Sequence, residues 1–140
     1  MQVLFVDDSK DRYYAISVAL MYTGDTLDCA CTMNEAIELL EAHHYDCIFI
    51  DYDLGENVGS GRGVAEYIAR DIYTYGESSK FNKCMIIIHS SNPSGSRNMM
   101  YTLQDAIKYL DNLHSIDIPL LFYAPLKHAD KKFLKLVGLL

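Results

Sequence analysis

The chain has 140 residues, which is enough for one domain that buries a hydrophobic core without disulfides or metal ions to hold it together. Half of the residues are hydrophobic and the formal net charge is -7. This charge excludes a broad nucleic-acid or anionic-membrane surface, because both need a field of the opposite sign. No apolar run approaches the roughly 20 residues that span a bilayer, and the first residues lack the pattern of a secretory signal. We therefore expect no membrane partner and a cytoplasmic location.

Strand-length apolar runs alternate with helix-period segments five times along the chain. This alternation predicts βαβ units and a parallel sheet covered by helices on both faces. The predicted strands are residues 2–6, 26–31, 46–50, 84–89 and 118–123.

Helices are predicted after each of these strands. The first begins near Ser9, and the last runs from about Ala129. Thr32 and Glu35 form a capping box, which opens the second helix and carries it to about His43. Apolar residues at helical spacing mark the buried stripes of the third and fourth helices. These are Val64, Ile68 and Ile72, and then Met100, Leu103, Ile107 and Leu110.

The chain shows no internal repeat, low-complexity tract or interdomain linker, so we expect residues 1–140 to form a single α/β domain with no output domain. The most polar connection, residues 74–83, is predicted to be a surface loop. The four cysteines lie in or beside apolar runs, which predicts reduced thiols that behave as small core residues. They are Cys29, Cys31, Cys47 and Cys84.

Three carboxylates stand at strand ends. Asp7 and Asp8 end the first strand, and Asp51 ends the third. If the strand order is 2-1-3-4-5, these two strands are neighbours and the carboxylates converge at the edge where open parallel sheets bind ligands. Such like charges repel unless a cation lies among them or some of them take up protons. Mg²⁺ is the natural candidate, because it prefers carboxylate and water oxygens.

The segments "VLFVDDS" and "IFID" resemble the receiver domain of bacterial two-component response regulators. The resemblance implies a flavodoxin-like (βα)5 fold, with five parallel strands in the order 2-1-3-4-5. It implies that Asp7 and Asp8 bind Mg²⁺, that Asp51 accepts a phosphoryl group, and that the backbone carbonyl of Asp53 is a further metal ligand. The family's hydroxyl residue after the fourth strand corresponds to Ser90.

Two segments are similar to a more specific group, the divergent and mostly stand-alone cyclic-phosphate-processing receivers. "FIDYDLG" matches the group's Asp-x-Asp-Leu-Gly segment, and "HSSNPSGSRNM" matches its His-Ser-x-Asn-Pro-x-Gly-x-x-Asn-Met segment. This resemblance implies that the protein acts on phosphate esters, and it does not specify the reaction.

The chain departs from ordinary receivers at the end of its fifth strand. The Lys-Pro pair of that family corresponds to Ala124-Pro125 here, and its aromatic switch residue corresponds to Leu121. Lys127 and Arg97 are the candidates for the missing cation. Arg97 lies early in the predicted fourth helix, whose N-terminus favours anions, although it is equally well explained as a solvated helix residue.

Other polar residues near these strand ends have more than one interpretation. Asp53 is either a backbone metal ligand or the acid/base partner of Asp51, as in haloacid-dehalogenase-type phosphatases. His89 is either a general base or phosphate contact, or a hydrogen-bonded structural group. The glycines of residues 55–63 do not form a Walker loop and are predicted to form a flexible lid, from which Arg62 reaches an anion before Gly63 opens the third helix.

Three functions remain open at the level of sequence. The first is an atypical stand-alone receiver that engages a phosphoryl group at Asp51 with Mg²⁺, in a phosphorelay or in phosphate-ester processing. Ser90, Asn92 and Arg97 would contact phosphate oxygens, and the partner would be a phosphodonor protein or a small phosphorylated ligand. The second is a phosphohydrolase for small or cyclic phosphates that uses Asp51 and Asp53. The third is a non-catalytic pseudo-receiver that binds a nucleotide or a partner protein. A homodimer is compatible with all three functions.

Overall fold

A computed structural model of the chain describes residues 1–55, 57–111 and 116–123, together with Lys135 and Gly138. The Ala124-Pro125 pair, Lys127 and the start of the predicted last helix lie outside the described residues. The elements in chain order are β1 (Gln2–Val6), α1 (Lys10–Leu20), β2 (Thr26–Ala30), α2 (Met33–Ala42), β3 (Cys47–Ile50), α3 (Gly61–Tyr75), a short 3-10 turn (Gly76–Ser78), β4 (Met85–His89), α4 (Pro93–Asp111) and β5 (Leu120–Tyr123).

The five strands form one sheet in the order β2-β1-β3-β4-β5, and every pair of neighbours is parallel. This confirms the predicted strand order and the flavodoxin-like fold. Each strand begins within two residues of its predicted start. The apolar runs are good predictors here because the central strands are covered on both faces: residues 3–6, 47–50 and 86–89 are almost completely buried.

Alternate residues of the central strands enter two separate cores. Even-numbered residues of β1, β3 and β4 pack with α2, α3 and α4 in the larger core. Odd-numbered residues pack with Ile16 and Leu20 of α1 in the smaller one. The predicted stripe of α3 is confirmed, since Val64, Ile68 and Ile72 are fully buried in the larger core. Among the described residues, no helix is long and apolar enough to cross a bilayer.

Two predicted helix starts are confirmed by their caps. Ser9 caps α1, where its hydroxyl accepts a hydrogen bond from the N–H of Arg12 at 3.3 Å. Thr32 caps α2 in the same way, with the N–H of Glu35 at 3.1 Å. The Glu35 carboxylate in turn accepts from the N–H of Cys31, one residue before the position expected of a capping box.

Two sequence predictions about burial are wrong. The segment 74–83 is not simply a surface loop: α3 continues to Tyr75, and Phe81 is buried in the larger core. The Ser79 hydroxyl donates to the Asp71 carboxylate at 2.6 Å, which holds this segment against α3. Among the cysteines, Cys31 is exposed rather than part of the core, because it lies beyond the end of the edge strand β2.

Helix α3 begins at Gly61, two residues earlier than predicted, because the helix start packs directly on the end of β3. The N–H of Gly61 donates to the carbonyl oxygen of Tyr52 at 2.9 Å. A Cβ atom on Gly61 would lie 2.1 Å from the carbonyl oxygen of Asp51. Only glycine permits this approach, and the contact fixes the backbone that carries Asp51.

We expect Gly61→Ala to lower the free energy of unfolding by about 3 kcal/mol, because the new methyl group meets backbone atoms that cannot move aside cheaply. Gly63→Ala is the matched control two residues along the same helix. Its Cβ would meet the Met33 sulfur, which lies on a flexible side chain, so we expect a change below about 1 kcal/mol. Urea denaturation measures both values, and equal costs would contradict the proposed contact.

Candidate functional site

The register of β1 and β3 places Asp7 next to Asp51. Val6 pairs with Ile50, and the backbone ladder continues one residue further: the N–H of Asp51 donates to the Val6 carbonyl at 2.9 Å. The N–H of Asp7 donates to the carbonyl of Ala30 on the other side, at 3.0 Å. The predicted convergence of the three acids is confirmed, since carboxylate oxygens of Asp7, Asp8 and Asp51 lie within 4.8 Å of one another.

The two inner carboxylates lie on an apolar floor. Asp7 and Asp51 are buried, whereas Asp8 is exposed. Phe5 and Phe49 lie on the same face of the sheet, two residues before Asp7 and Asp51, and His89 is level with Asp51 because Ile88 pairs with Ile50. The three rings contact one another, with centroids 5.0 to 5.8 Å apart. Two negative charges above such a floor are costly unless a positive charge accompanies them.

Arg12 supplies that positive charge. Its guanidinium holds Asp7 with two hydrogen bonds, from Nε to Oδ2 at 2.7 Å and from Nη2 to Oδ1 at 2.8 Å. The same Nη2 atom donates to Oδ2 of Asp51 at 3.2 Å. The first turn of α1 delivers this side chain, and the turn is fixed to the pocket because the N–H of Ser9 also donates to Asp7 Oδ1, at 2.8 Å. Arg12 therefore bridges both buried carboxylates.

The two buried acids, Asp7 and Asp51, differ in how well the pocket stabilises their negative charge. Burial raises the pKa of Asp51 to about 6, and the charge of Asp7 adds to this effect. A hydrogen bond with the Ser90 side chain, the charge of Arg12 and the Tyr52 backbone oppose the rise. The hydrogen bond to Asp7 raises the pKa of Arg12, so the guanidinium stays charged. Asp51 is thus the carboxylate that the pocket leaves incompletely stabilised.

His89 is level with Asp51 in the sheet, and its ring lies next to the Asp7 carboxylate. Its ring is fully buried, stacked on Phe5 and edge-on to Phe49. Nδ1 is 3.6 Å from Asp7 Oδ2, and neither ring nitrogen has a hydrogen-bond partner within the described part of the chain. Burial lowers the pKa of His89 to about 3, with a further contribution from the charge of Arg12, so the imidazole is neutral.

The "HSSNPSG" segment builds the turn from β4 into α4. Asn92 caps the helix: its Oδ1 accepts from the N–H of Gly95 and its carbonyl from the N–H of Ser96, both at 2.9 Å. Pro93 occupies the first helical position, where its missing N–H costs nothing. The Ser90 hydroxyl accepts from the N–H of Asn92 at 3.2 Å, so the turn also fixes the orientation of this hydroxyl.

Gly95 ties this turn to the Asp51 strand. A Cβ atom at position 95 would lie 2.3 Å from the ring of Tyr52, the residue that follows Asp51. The Tyr52 ring therefore packs flat against the first turn of α4. This contact gives the glycine of the segment a packing role next to the site.

The other predicted site residues lie around this centre. Asp53 is exposed and forms an isolated antiparallel bridge with Ser60, and its carboxylate is outside the cluster of three. Arg97 is exposed on α4 and has no ion pair with another described residue. Leu121, at the aromatic-switch position, is partly exposed on β5.

The predicted glycine lid is corrected at its second half. Gly61 and Gly63 belong to α3 and pack against the sheet end and Met33. Arg62 lies between them and pairs with Glu66 at 2.9 Å on the surface of the helix. The side chain is thus engaged along its own helix in the structure.

Arg12 is the residue that the sequence interpretation missed. A signal was present, because a basic side chain in the first turn opposes the helix macrodipole and is favourable there only with a carboxylate partner. Lys10 and Arg12 both occupy this turn of α1. Which of them turns toward Asp7 depends on the direction of the helix across the sheet.

The fold and site can now be compared with known proteins. A model of the cyclic-phosphate processing receiver domain matches residues 2–118. The chain belongs to this family. No protein with a curated description matches it.

Solved structures of response regulators share the receiver fold. The Thermotoga maritima regulator TrrA in complex with Mg²⁺-BeF superimposes with a TM-score of 0.64 at 18% identity, covering 99% of this chain and 98% of TrrA. Vibrio cholerae CheY4 gives 0.66 at 15% identity, with 99% and 98% covered. A Clostridium difficile two-component response regulator gives 0.65 at 18% identity, with 99% and 94% covered. At these identities the likeness shows the fold alone.

The raised pKa of Asp51 predicts a stability cost for the metal-free receiver. The folded protein binds this proton more tightly than the unfolded chain, so its contribution to stability is present below about pH 4 and is lost as the pH rises through about 6. We expect Asp51→Asn to raise the free energy of unfolding at pH 7 by about 1–3 kcal/mol in the presence of a chelator. The gain should shrink toward pH 4.

Asp8→Asn is the matched control, because Asp8 belongs to the same cluster but is exposed. We expect it to change stability by less than about 0.5 kcal/mol. Denaturant titrations at several pH values measure the three proteins. An Asp51→Asn protein less stable than the parent at pH 7 would contradict the proposed electrostatic cost.

Proposed function

We propose that this receiver domain binds Mg²⁺ through Asp7, Asp8 and Asp51 and takes a phosphoryl group on Asp51. The observation that carries the proposal is the inequality of the two buried acids. Asp7 is saturated by the Arg12 fork and by the N–H of Ser9. Asp51 has a single contact with the guanidinium, at 3.2 Å, and a raised pKa. A carboxylate that is buried but weakly held is the one suited to form a new bond.

The residues of the pocket fit a magnesium ion. All three side chains of the cluster offer carboxylate oxygens, the ligand type that Mg²⁺ prefers. The pocket also attracts positive charge already, because Arg12 occupies it. Asp53 would add its backbone carbonyl. Bound there, Mg²⁺ supplies positive charge that offsets the repulsion between the carboxylates and an incoming phosphoryl group.

In this function a carboxylate oxygen of Asp51 attacks the phosphorus of an acyl phosphate. A P–O bond forms to Asp51, the P–O bond to the donor breaks, and the donor leaves as a free carboxylate. Ser90, which is buried directly after β4 and whose hydroxyl opposes the rise in the pKa of Asp51, would donate to a phosphoryl oxygen. Asn92 and Arg97 lie in and just after the turn that opens α4 and would add further contacts. The donor is a phosphodonor protein or a small phosphorylated ligand.

A second function is favoured by the family description, which names the processing of cyclic phosphates. In this function Asp51 attacks the ring phosphorus and the P–O bond to one ring oxygen breaks. Asp53, which is exposed, gives its proton to that leaving oxygen and then activates the water that hydrolyses the Asp51 intermediate. This function differs from the first in releasing product over many turnovers.

Incubation with Mg²⁺ and a small acyl phosphate tests the first function. We expect intact-mass measurement to find one phosphoryl group on the wild-type protein, and none on Asp51→Asn or after chelation of the metal. Asp105→Asn is the matched control, because this acid is exposed on α4 and outside the cluster. It should be labelled like the wild type. Labelling that persists in Asp51→Asn would contradict the assignment of the acceptor.

Asp53→Asn separates the two functions, because it keeps the backbone carbonyl and removes only the proposed acid/base group. Labelling of this variant by the acyl phosphate should be retained. Sustained opening of a cyclic phosphate by the wild type, lost in Asp53→Asn, would establish the second function instead.

A further inference from the structure

Some N–H groups of the Arg12 guanidinium make no hydrogen bond to another described residue. It carries five N–H groups, and its bonds to Asp7 and Asp51 involve only Nε and Nη2. Nη1 makes no hydrogen bond to another described residue. The side chain is 26% exposed while the Asp7 side chain beneath it is fully buried, so the guanidinium forms the outer layer of the pocket.

We propose that Arg12 is the phosphoryl-binding cation of this receiver, and that in the metal-free protein it holds Asp7 in place of the metal. This inference rests on the proposed function and adds a residue to it. It also accounts for the end of β5, where the lysine of ordinary receivers corresponds to Ala124.

The first step concerns Asp7. Both of its oxygens accept hydrogen bonds from Arg12, and Oδ1 accepts a further one from the N–H of Ser9. An oxygen that coordinates a metal cannot keep a short charge-assisted hydrogen bond in the same direction. Oδ1 already accepts two hydrogen bonds, so Arg12 has to release Oδ1 before this oxygen can become a metal ligand. Arginine and metal compete for the same carboxylate.

The second step concerns Asp51. Nη2 contacts Oδ2 of Asp51 directly. A phosphoryl oxygen lies only two bonds from the carboxylate oxygen that carries the phosphorus, so the guanidinium reaches it without a large movement. Its planar fork of N–H groups matches two phosphoryl oxygens at once, which an ammonium group cannot do. Arg12 thus passes from carboxylate to phosphoryl group within one pocket.

The other arginines in the same part of the fold lack this placement. Arg62 is paired with Glu66, and Arg97 is exposed without an ion pair to another described residue. Arg12 alone among these three contacts the cluster. A substitution there changes the pocket while the surface charges stay as they are.

Calorimetric titration with Mg²⁺, without any phosphoryl donor, tests the competition. We expect Arg12→Met, which keeps an apolar stem, to bind Mg²⁺ roughly tenfold more tightly than the wild type, because the competing charge is gone. Arg12→Lys keeps the charge but loses the fork, and should bind about threefold more tightly. Arg70→Met removes an exposed arginine of α3 and should leave the Mg²⁺ affinity unchanged.

Beryllium fluoride at saturating Mg²⁺ tests the phosphoryl contact, because it mimics a phosphoryl group on a carboxylate. We expect Arg12→Met to bind it about tenfold more weakly than the wild type, with Arg12→Lys between the two and Arg70→Met unchanged. The two titrations move in opposite directions, which general loss of folding cannot produce. If Arg12→Met does not fold, Arg12→Lys still provides both readouts.

Distinct outcomes overturn the inference and the proposed function. The competition is overturned if the wild type binds Mg²⁺ and neither Arg12→Met nor Arg12→Lys binds it more tightly. Undiminished beryllium fluoride affinity in these variants overturns the phosphoryl contact. Failure of the wild type and both variants to bind Mg²⁺ overturns the proposed function and, with it, the inference.

Discussion

Two buried carboxylates meet at the ends of β1 and β3, and the surrounding structure is organised around the charge that they share. The parallel register puts Asp7 and Asp51 side by side, and Arg12 bridges them from the first turn of α1. Without a cation this arrangement would place like charges on an apolar floor. The turn at Ser9, whose N–H donates to Asp7, and the raised pKa of Asp51 are both tied to this pair of carboxylates.

The same constraint explains the close packing nearby. Gly61 approaches the carbonyl of Asp51, and Gly95 lies against the ring of Tyr52, so α3 and α4 both pack on the backbone around Asp51. Such contacts hold a carboxylate in an unfavourable setting that it would otherwise leave. The cost appears in the raised pKa of Asp51. A ligand that brings positive charge would recover that cost.

The sequence predicted the sheet well because its signal is local. The central strands are covered on both faces, and their continuous apolar runs mark both their positions and the acids that end them. Ser9 and Thr32 are readable caps for the same reason. The strand order came from a resemblance, and it turned three separate aspartates into one cluster.

What the sequence missed depends on contacts between distant elements. The start of α3 is set by the space above Asp51, and the burial of Phe81 by the larger core. In the sequence, Arg12 is typical of an exposed residue in a polar helix turn. Only the packing of α1 across the sheet brings its side chain to Asp51. The sequence search for a cation looked at Arg97 and Lys127, near the strand-five position of ordinary receivers. The structure places a cation on the opposite side, from α1.

In the structure, the positive charge at the two buried carboxylates comes from Arg12 of α1. Under the proposed competition, binding of Mg²⁺ to Asp7 and movement of the arginine would be linked. The two carboxylates would then engage the metal and the phosphoryl group in turn. The family description of cyclic-phosphate processing is compatible with such a pocket.

If Arg12 and a divalent cation compete for Asp7, nitrogen-15 NMR of the Arg12 Nε–H group during a Mg²⁺ titration observes the exchange at the atom concerned. We expect the resonance to leave its ion-paired position in proportion to the bound Mg²⁺. A resonance that stays unchanged at saturating Mg²⁺ would contradict this competition.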